Sequence, residues 1–592
     1  MTGHSSLAIY ILRRFKLLIL LVAVLMLVSS VLESVSVIAF FPIFLSLLGQ
    51  TGEDVGGVLG FITRISELIP ASHPVIAGAI LLTGIALFKA VFNIAREVAM
   101  TYAAAKILYD TQTRVMARYA GAQYQFHLDN RQGELIYNCV DAAGSVGTIV
   151  LVGARIATAL FKALMVAGLL FLILPLGAAS ICVVGLIYYV GIHYISQRVS
   201  RKIGVEKARV GTEQLVISNE FFSGFRQIVT TNTIAPWTKR FNLESRTMGE
   251  LMVKESVYLS LPRPVLELFA VGLTLGMVLL VSLSSPSTVF ENLPTIGIFA
   301  VALAQMIPSL TAIGSSRMLM MVAMPRARRA FEAINDPMPM RQDGHRELSR
   351  FETAITFENV NFSYNDRNSL LDNINLTIEK GKVTAFVGSS GAGKTTIINL
   401  ILGLFQPIAG KITVDGILLQ EYTHASWLNK LGFVSQDPFM HNATISDNIR
   451  LGRSDITQQS VVKAATIAKA DEFINQLPQA YETLVGDKGM RLSGGQQQRI
   501  AIARALLTEP EILIFDEATS SLDTLSEKQV QEAIEEARRN RTVIVIAHRL
   551  STVRHADKII VFEQGKLLEQ GNHQELLSNN GQYSKMVSSS IG

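Results

Sequence analysis

The pattern of apolar and polar positions divides the chain in two. Between residues 17 and 330 apolar residues run on in long stretches, whereas from Phe351 onward they fall into short runs separated by polar turns. A helix crossing the hydrocarbon of a bilayer takes about 20 predominantly apolar residues. Six segments are candidates: 17–47, 74–102, 147–174, 178–197, 257–284 and 292–320. The connections 103–146 and 198–256 are rich in Lys and Arg with few breakers, which predicts helices that continue beyond the membrane. Each has an irregular polar point near its middle, Tyr124–Gly133 and Asn219–Phe225, where the chain can turn and touch another element; ordinary loop turns are the alternative. In the loop after the first span, Val58, Leu59, Phe61, Ile62, Ile65, Leu68 and Ile69 recur at helical spacing with Thr63, Arg64, Ser66 and Glu67 opposite. That spacing predicts a short amphipathic helix, either lying on the outer membrane face or packed on neighbouring spans.

The second half alternates β-rich runs with helices, an α/β pattern. The expected fold is therefore an α-helical membrane domain with six transmembrane helices extended into the cytoplasm, followed by an α/β domain. The polar stretch Asn335–Gly344 marks the change, giving a membrane domain at 1–334, a linker at 335–350 and a second domain at 351–592.

Composition fits this division. The chain is 49% hydrophobic and only 17% charged, against about 25% charged in soluble domains. The net charge of +5 is small, and in a membrane protein it bears on orientation and lipid head groups rather than on nucleic acid. Arg13, Arg14 and Lys16 put the N-terminus inside, and they precede an apolar run longer than the core of a cleavable signal. The loop 49–73 is acidic and faces out; the turn Pro175–Gly177 carries no charge; six spans return the chain to the cytoplasm. Cys139 and Cys182 suggest neither a disulfide framework nor a metal site. Inside the spans lie Glu33, Lys89, Arg96, Glu97, Arg155, Lys162, Arg263, Glu267 and Arg317, with positive charge in excess. Ionisable groups at that depth are costly and usually face a cavity or a partner. Two readings stand. Arg96, Arg155, Arg263 and Arg317 line a basic inward cavity for an anionic head group, or they snorkel and pair within the membrane, as Arg263 would with Glu267 or Arg96 near Glu97.

The clearest chemistry is in the second half. The apolar run Thr384–Gly388 leads into Gly388-Ser389-Ser390-Gly391-Ala392-Gly393-Lys394-Thr395 and then a helix from Thr396 to Leu402. That is a P-loop: glycines let backbone N–H groups close around phosphate oxygens, Lys394 reaches the β- and γ-phosphates, and Thr395 offers a hydroxyl to Mg²⁺. A second apolar strand, Glu511–Phe515, ends in Asp516 and Glu517. There Asp516 is placed to orient Mg²⁺ through water and Glu517 to act as general base on the attacking water. A third, Arg541–Ala547, ends at His548, positioned as a γ-phosphate contact. Ser493, Gly494 and Gly495 precede another helix and make a second anion-binding terminus. Because one P-loop already holds the phosphates, this second grip suits the ATP of a partner chain.

Leu492-Ser-Gly-Gly-Gln496 is identical to the signature motif of the ABC transporter superfamily, and the chain resembles that superfamily throughout, on the plan of an exporter half-transporter. The resemblance implies that Tyr364 stacks on adenine. It further implies that Gln436 is the Q-loop glutamine at the Mg²⁺ and the catalytic water, that Thr483–Gly489 is an exporter-type X-loop, and that Asp523 closes the D-loop. It implies ATP and Mg²⁺ as cofactors, ATP hydrolysis coupled to transport by alternating access, and a homodimer whose two sites each join one chain's P-loop to the other's Ser493–Gln496. The turns at 124–133 and 219–226 would then be coupling helices. Pro262–Glu267 and the amphipathic segment 58–69 are similar to features of lipid-linked oligosaccharide flippases and polysaccharide exporters. Together with the basic cavity they give, as expected cargo, a lipid-linked oligosaccharide or other glycolipid, moved across a bacterial inner membrane. A lipopolysaccharide-precursor lipid, a peptide or a drug is the alternative cargo, and an ATP-gated channel the remote alternative.

Overall fold

The computed structural model describes residues 14–40, 43, 61, 64–65, 68–70, 74–284, 293–364, 370–517, 524–547 and 553–590. The chain divides into two compact units. One comprises Met1–Ala122 and Phe126–Pro339; the other comprises Gln123–Gln125 and Met340–Gly592.

The first unit is helical. Its elements are α1 (Lys16–Ile38), α2 (Pro74–Ala120), α3 (Tyr124–Asp129), α4 (Gln132–Tyr137), α5 (Ala143–Ile173), α6 (Pro175–Ile195), α7 (Arg201–Ser223), α8 (Phe225–Thr230), α9 (Ile234–Ser260), α10 (Pro262–Ser284) and α11 (Leu293–Asn335). Five-residue π turns join α4 to α5 at Asn138–Ala142 and α6 to α7 at Ser196–Ser200. Among the described residues six helical stretches are long and apolar enough to cross a membrane: Lys16–Val37, Val75–Ala120, Gln132–Leu172, Pro175–Ser223, Ile234–Leu279 and Ile296–Asn335. The second has 47 residues as α2, about 70 Å at the helical rise, against a hydrocarbon core of about 30 Å. Its apolar flank is bare, with Leu87, Val91, Ile94 and Val98 all exposed, as a surface that meets acyl chains or a second subunit must be.

The elements depart from the sequence expectation at their ends. The span expected at 17–47 is helical as α1 only to Ile38; 41–42 and 44–47 lie outside the described residues, as does most of the amphipathic segment 58–69. The expected turn Pro175–Gly177 is already helix, since Pro175 opens α6 at a position where its missing N–H is not needed. Leu174 alone, at φ −144° and ψ 80°, separates α5 from α6. The irregular stretch 124–133 holds the short helix α3 and the first two residues of α4, joined through the non-helical Asn130 and Arg131. In the other connection α7 stays helical through Asn219–Ser223, and the break falls at Gly224 (φ −97°, ψ 13°). The residues before it are helix-compatible; glycine is what interrupts the run.

Packing between these helices depends on close approach. A β-carbon on Gly204 of α7 would lie 2.8 Å from Val322 Cα on α11, so only glycine lets the two backbones meet there. Val22, Met26, Met100 and Ala103 bury the contact of α1 with α2, and Val166, Leu170, Ile181, Phe299 and Leu303 form the core of α5, α6 and α11.

The second unit has two sheets. A four-stranded antiparallel sheet has the order β2-β1-β4-β5, with β1 Ala354–Phe362, β2 Leu371–Glu379, β4 Ala409–Val414 and β5 Ile417–Leu418. A six-stranded sheet has the order β10-β9-β3-β8-β7-β6, with β3 Val383–Gly388, β6 Leu431–Val434, β7 Ile512–Asp516, β8 Thr542–Ile546, β9 Lys558–Glu563 and β10 Lys566–Gly571. All its neighbours pair in parallel except β10 with β9. The central strands are continuous apolar runs because both faces are covered. Leu513, Phe515, Val543 and Val545 enter one core, while Ile512, Ile514, Ile544 and Ile546 enter the other. The helices include α12 (Lys394–Ile401), α13 (His424–Leu428), α14 (Ile445–Arg450), α15 (Gln458–Ile467), α16 (Asp471–Asn475), α17 (Gly494–Leu506) and α18 (Thr524–Ala537). Part of the expected linker is seated on this unit: His345 N donates to Glu421 O at 3.0 Å, and Leu348 is buried.

Candidate nucleotide site

Parallel order fixes where chemistry can happen. With β6, β7, β8 and β3 side by side, their carboxyl ends share one edge, and in open α/β sheets ligands bind outside that edge. Register places Gly388 at the end of β3, Val434 opposite Phe515 in β6 and β7, and Asp516 opposite Ile546 in β7 and β8. The loop 389–393, Ser435–Gln436 and Asp516–Glu517 are therefore neighbours although far apart in sequence.

The loop after β3 is shaped by left-handed backbone at Gly391 (φ 80°) and Gly393 (φ 102°), a region glycine enters without strain. Gly393 is the N-cap of α12, which starts at Lys394; the helix expected from Thr396 begins two residues earlier, since nothing after Gly393 opposes helical backbone. Ser389 and Ser390 are exposed, Ala392 and Thr396 are buried, and Thr395 stands exposed at the first turn. Lys394 is buried, with Nζ donating to Gly388 O and Ser389 O, each at 2.8 Å. Burial pushes its ammonium below the usual lysine range, opposed by the nearby carboxylates of Glu517 and Asp516. A buried ammonium held by loop carbonyls, beside an exposed hydroxyl and two carboxylates, fits a phosphate chain with Mg²⁺.

Glu517 follows β7 with φ 49°, uncommon for a residue with a β-carbon. Its N–H donates to Ile546 O at 3.2 Å, and its Oε2 accepts from Gln436 Nε2 at 3.0 Å. Gln436 and Glu517 are thus brought together. Tyr364 donates to or accepts from Thr396 Oγ1 at 3.3 Å and packs edge-on against Phe362 and Phe405. His548 and Asp523 lie outside the described residues; Ala547, just before His548, donates its N–H to Phe386 O at 3.2 Å.

The second anion grip differs from expectation in one respect. Gly494 and Gly495 are the first turn of α17, not residues before it, and Ser493 is the N-cap. Ser493 Oγ accepts from Gln496 N at 3.3 Å, and Gln496 Oε1 accepts from Ser493 N at 2.9 Å, a capping box. Gln498, which the sequence pattern does not single out, is buried and donates to Ser435 O at 3.3 Å, tying α17 to the residue before Gln436. Its place just beyond the first turn of an amphipathic helix is the only sequence signal. The X-loop segment is built on Gly486 (φ 77°), Lys488 (φ 49°) and Gly489 (φ 72°), with Gln497 Nε2 donating to Gly489 O at 2.9 Å.

The four intramembrane arginines have different surroundings. Arg155 pairs with Glu97 at 2.9 Å and Arg263 with Glu267 at 2.8 Å. Arg96 does not pair with Glu97, since neighbours in a helix diverge; its Nη1 donates to Ser29 Oγ at 2.8 Å. Arg317 reaches Ser196 Oγ at 3.2 Å in the π turn, Tyr189 Oη at 3.4 Å and His193 Nδ1 at 2.6 Å. The structure does not gather the four into one cluster of contacts.

Fold and site together define a membrane protein that carries a P-loop nucleotide-binding domain. A family model described as ABC transporter matches residues 371–520. An ATP-dependent lipid A-core flippase of Haemophilus influenzae is 32% identical over 86% of this chain and 87% of its own length. The heterocyst differentiation ATP-binding protein HepA of Nostoc is 38% identical over 67% of the chain, and the match spans 65% of that protein. A putative multidrug export protein of Staphylococcus aureus is 44% identical, with the match confined to 44% of the chain and 45% of the relative. Among solved structures, a bacterial Atm1-family ABC exporter with ATP bound superposes with a TM-score of 0.81 at 26% identity, over 98% of this chain and 99% of that one. The chain belongs to the ABC transporter family, with the exporter fold of six long apolar helices followed by an ABC ATPase domain.

Proposed function

We propose that two copies of this chain form an exporter that hydrolyses ATP to move an amphipathic glycolipid, of the lipid-linked oligosaccharide or lipid A type, across a bacterial inner membrane. The membrane domain is 1–334, the linker 335–350 and the ATPase domain 351–592, with both termini in the cytoplasm. Lys394 holds the β- and γ-phosphates, the N–H groups of Gly388–Thr396 cradle them, and Tyr364 receives the adenine. Thr395, Asp516 and Gln436 would hold Mg²⁺, which when bound neutralises charge on the phosphates. Glu517, aligned by Gln436, takes the proton of the attacking water; His548 steadies the γ-phosphate, and Asp523 meets the other subunit. The nucleotide is closed from the opposite chain by Ser493, Gly494, Gly495 and Gln496 at the start of α17. Closure pulls on the coupling segments around 124–133 and 219–226 and turns the transport path outward.

The observation that carries this reading is the Gln436–Glu517 hydrogen bond beside a P-loop lysine, while a second helix start in the same unit carries Ser493. For the cargo, support comes from the positive excess within the spans and from the relative matched over most of its length, which is named a lipid A-core flippase. The multidrug-named relatives match over less than half of theirs, which supports the drug reading less.

Glu517→Gln in reconstituted protein is expected to keep ATP binding and lose turnover by about 10²–10⁴-fold, the usual contribution of a general base. Nucleotide binding with no turnover in the wild type would instead favour a gate. For cargo, ATPase stimulation by lipid A and by lipid-pyrophosphate oligosaccharides is compared with stimulation by neutral lipids and peptides. If no anionic glycolipid stimulates turnover or is moved, the cargo reading falls.

A further inference from the structure

A charged cluster between α1, α2 and α5 lies apart from the nucleotide site. Glu33 of α1 receives Lys89 of α2 on Oε1 at 2.7 Å and Lys162 of α5 on Oε2 at 2.9 Å. All three side chains are largely buried, 13–23% exposed. One turn along α1, Ser29 Oγ takes Arg96 Nη1 at 2.8 Å and itself donates to Asn93 Oδ1 at 2.6 Å. Arg96 is within electrostatic reach of Glu97 first and of Glu33 second, and its buried Nε has no hydrogen-bond partner among the described residues. Glu97 and Arg155 neutralise each other nearby. Lys89, Lys162, Arg96 and Arg155 thus face two carboxylates, Glu33 and Glu97, and two positive charges are left over in a segment where unmatched charge is costly.

That excess equals the charge of one phosphate monoester dianion. Each lysine ammonium carries three N–H donors, and among the described residues Glu33 meets one from each. Glu33 bridges them as a bidentate anion would, in a space defined by three separate helices. Stapling α1 to α2 and to α5 accounts for the two lysines; Arg96, which among the described residues forms a salt bridge with neither Glu33 nor Glu97, is surplus to it.

We propose that Glu33 is an internal counter-anion occupying an anion site made by Lys89, Lys162 and Arg96, and that the phosphate-bearing head group of the cargo displaces it. Glu33 then turns toward Arg96, and the phosphate bridges the two lysines, so that the loaded site is electrically neutral. Glu33 thereby sets specificity: a neutral amphipath has nothing with which to replace it. This rests on the reading of the cargo as an anionic glycolipid, and it assigns the anion site to Lys89, Lys162 and Arg96 rather than to Arg155 or Arg263, whose charges are already met.

The test uses the full-length protein in nanodiscs of phosphatidylcholine, with lipid A and its phosphate-free counterpart as probes, reading the concentration that gives half-maximal ATPase stimulation. Glu33→Gln removes the competitor and should lower that concentration for lipid A by about tenfold, the small end of close charge-pair couplings, with no change for the phosphate-free lipid. Lys89→Gln and Lys162→Gln should each raise it, again for lipid A alone. Glu33→Asp, which keeps the charge, should behave as wild type. Equal shifts for both lipids, or none for Glu33→Gln, would mean that the cluster only staples helices. If Glu33→Gln does not fold, the lysine variants decide, and lipid A stimulation indifferent to both overturns the proposal. A wild type that ignores lipid A would remove the cargo reading and this inference together; a wild type that responds, without sensitivity to the cluster, removes this inference alone.

Discussion

Single side chains at the sheet edge are held by contacts that leave little freedom. Glu517 keeps a left-handed φ of 49°, and such backbone is retained where surroundings over-determine it, often at functional sites. Gln436→Ala removes the donor to its carboxylate, so turnover should fall about 10- to 100-fold in single-turnover measurements, with ATP affinity less affected. Away from the site, Asp415 shows how one carboxylate can carry a pH dependence. Burial pushes it up, but hydrogen bonds from Glu352 N, Thr353 Oγ1, Thr353 N and Ala354 N outweigh that and hold it below its ordinary value of 3.8. A depressed pKa means that the unfolded chain binds the proton more readily, so this contribution is complete above about pH 4 and is lost as pH falls through the folded value. Asp415→Asn should therefore destabilise the second unit at neutral pH, and its deficit should shrink under acid, as read from hydrogen exchange of Thr353 and Ala354.

Elements show what sequence pattern can and cannot resolve. β3, β7 and β8 are legible because strands buried on both faces read as unbroken apolar runs, and parallel order brings the residues after each run to a common edge. Ser493–Gln496 is legible as a helix start, and Ser followed three residues later by Gln suits a capping box as well as an anion grip; the structure shows the box. Losing an N-cap costs about 1 kcal/mol. If Ser493 only capped α17, Ser493→Ala would lower stability by that much and little else; a nucleotide held between chains requires turnover to fall far more than thermal unfolding does. Helix ends were the least legible. A stretch such as Asn219–Ser223, with two phenylalanines among its polar residues, continues a helix as readily as it ends one, and Gly224 stops it. The ties of Glu33 to Lys89 and Lys162 were invisible for another reason: each residue stands out as an intramembrane charge, yet which helix faces meet is set by packing among three elements. The approach of α7 to α11 at Gly204 belongs to the same class. Gly204→Val should cost about 3 kcal/mol or more through overpacking against the Val322 backbone, seen as a lowered unfolding temperature with nucleotide binding retained.

At the scale of the whole molecule, each chain carries one set of parts: Lys394 and Glu517 at the sheet edge, and Ser493–Gln496 at the start of α17. The bare apolar flank of α2, with Leu87 and Val91 exposed, is as expected of a chain surrounded by lipid and a second copy. The central claim is that each nucleotide is held by the P-loop of one chain and the α17 terminus of the other. It is tested most directly by pairing two defective chains, one carrying Lys394→Ala and the other Gly494→Asp, a substitution at an exposed position that sets a carboxylate against the phosphates. Each homodimer should be inactive. In the purified mixed dimer, sites shared between chains place both defects in one site and leave the other intact, so clear ATP turnover should return. If the mixed dimer is as inactive as either homodimer, each chain works with its own α17 terminus and the shared site does not exist.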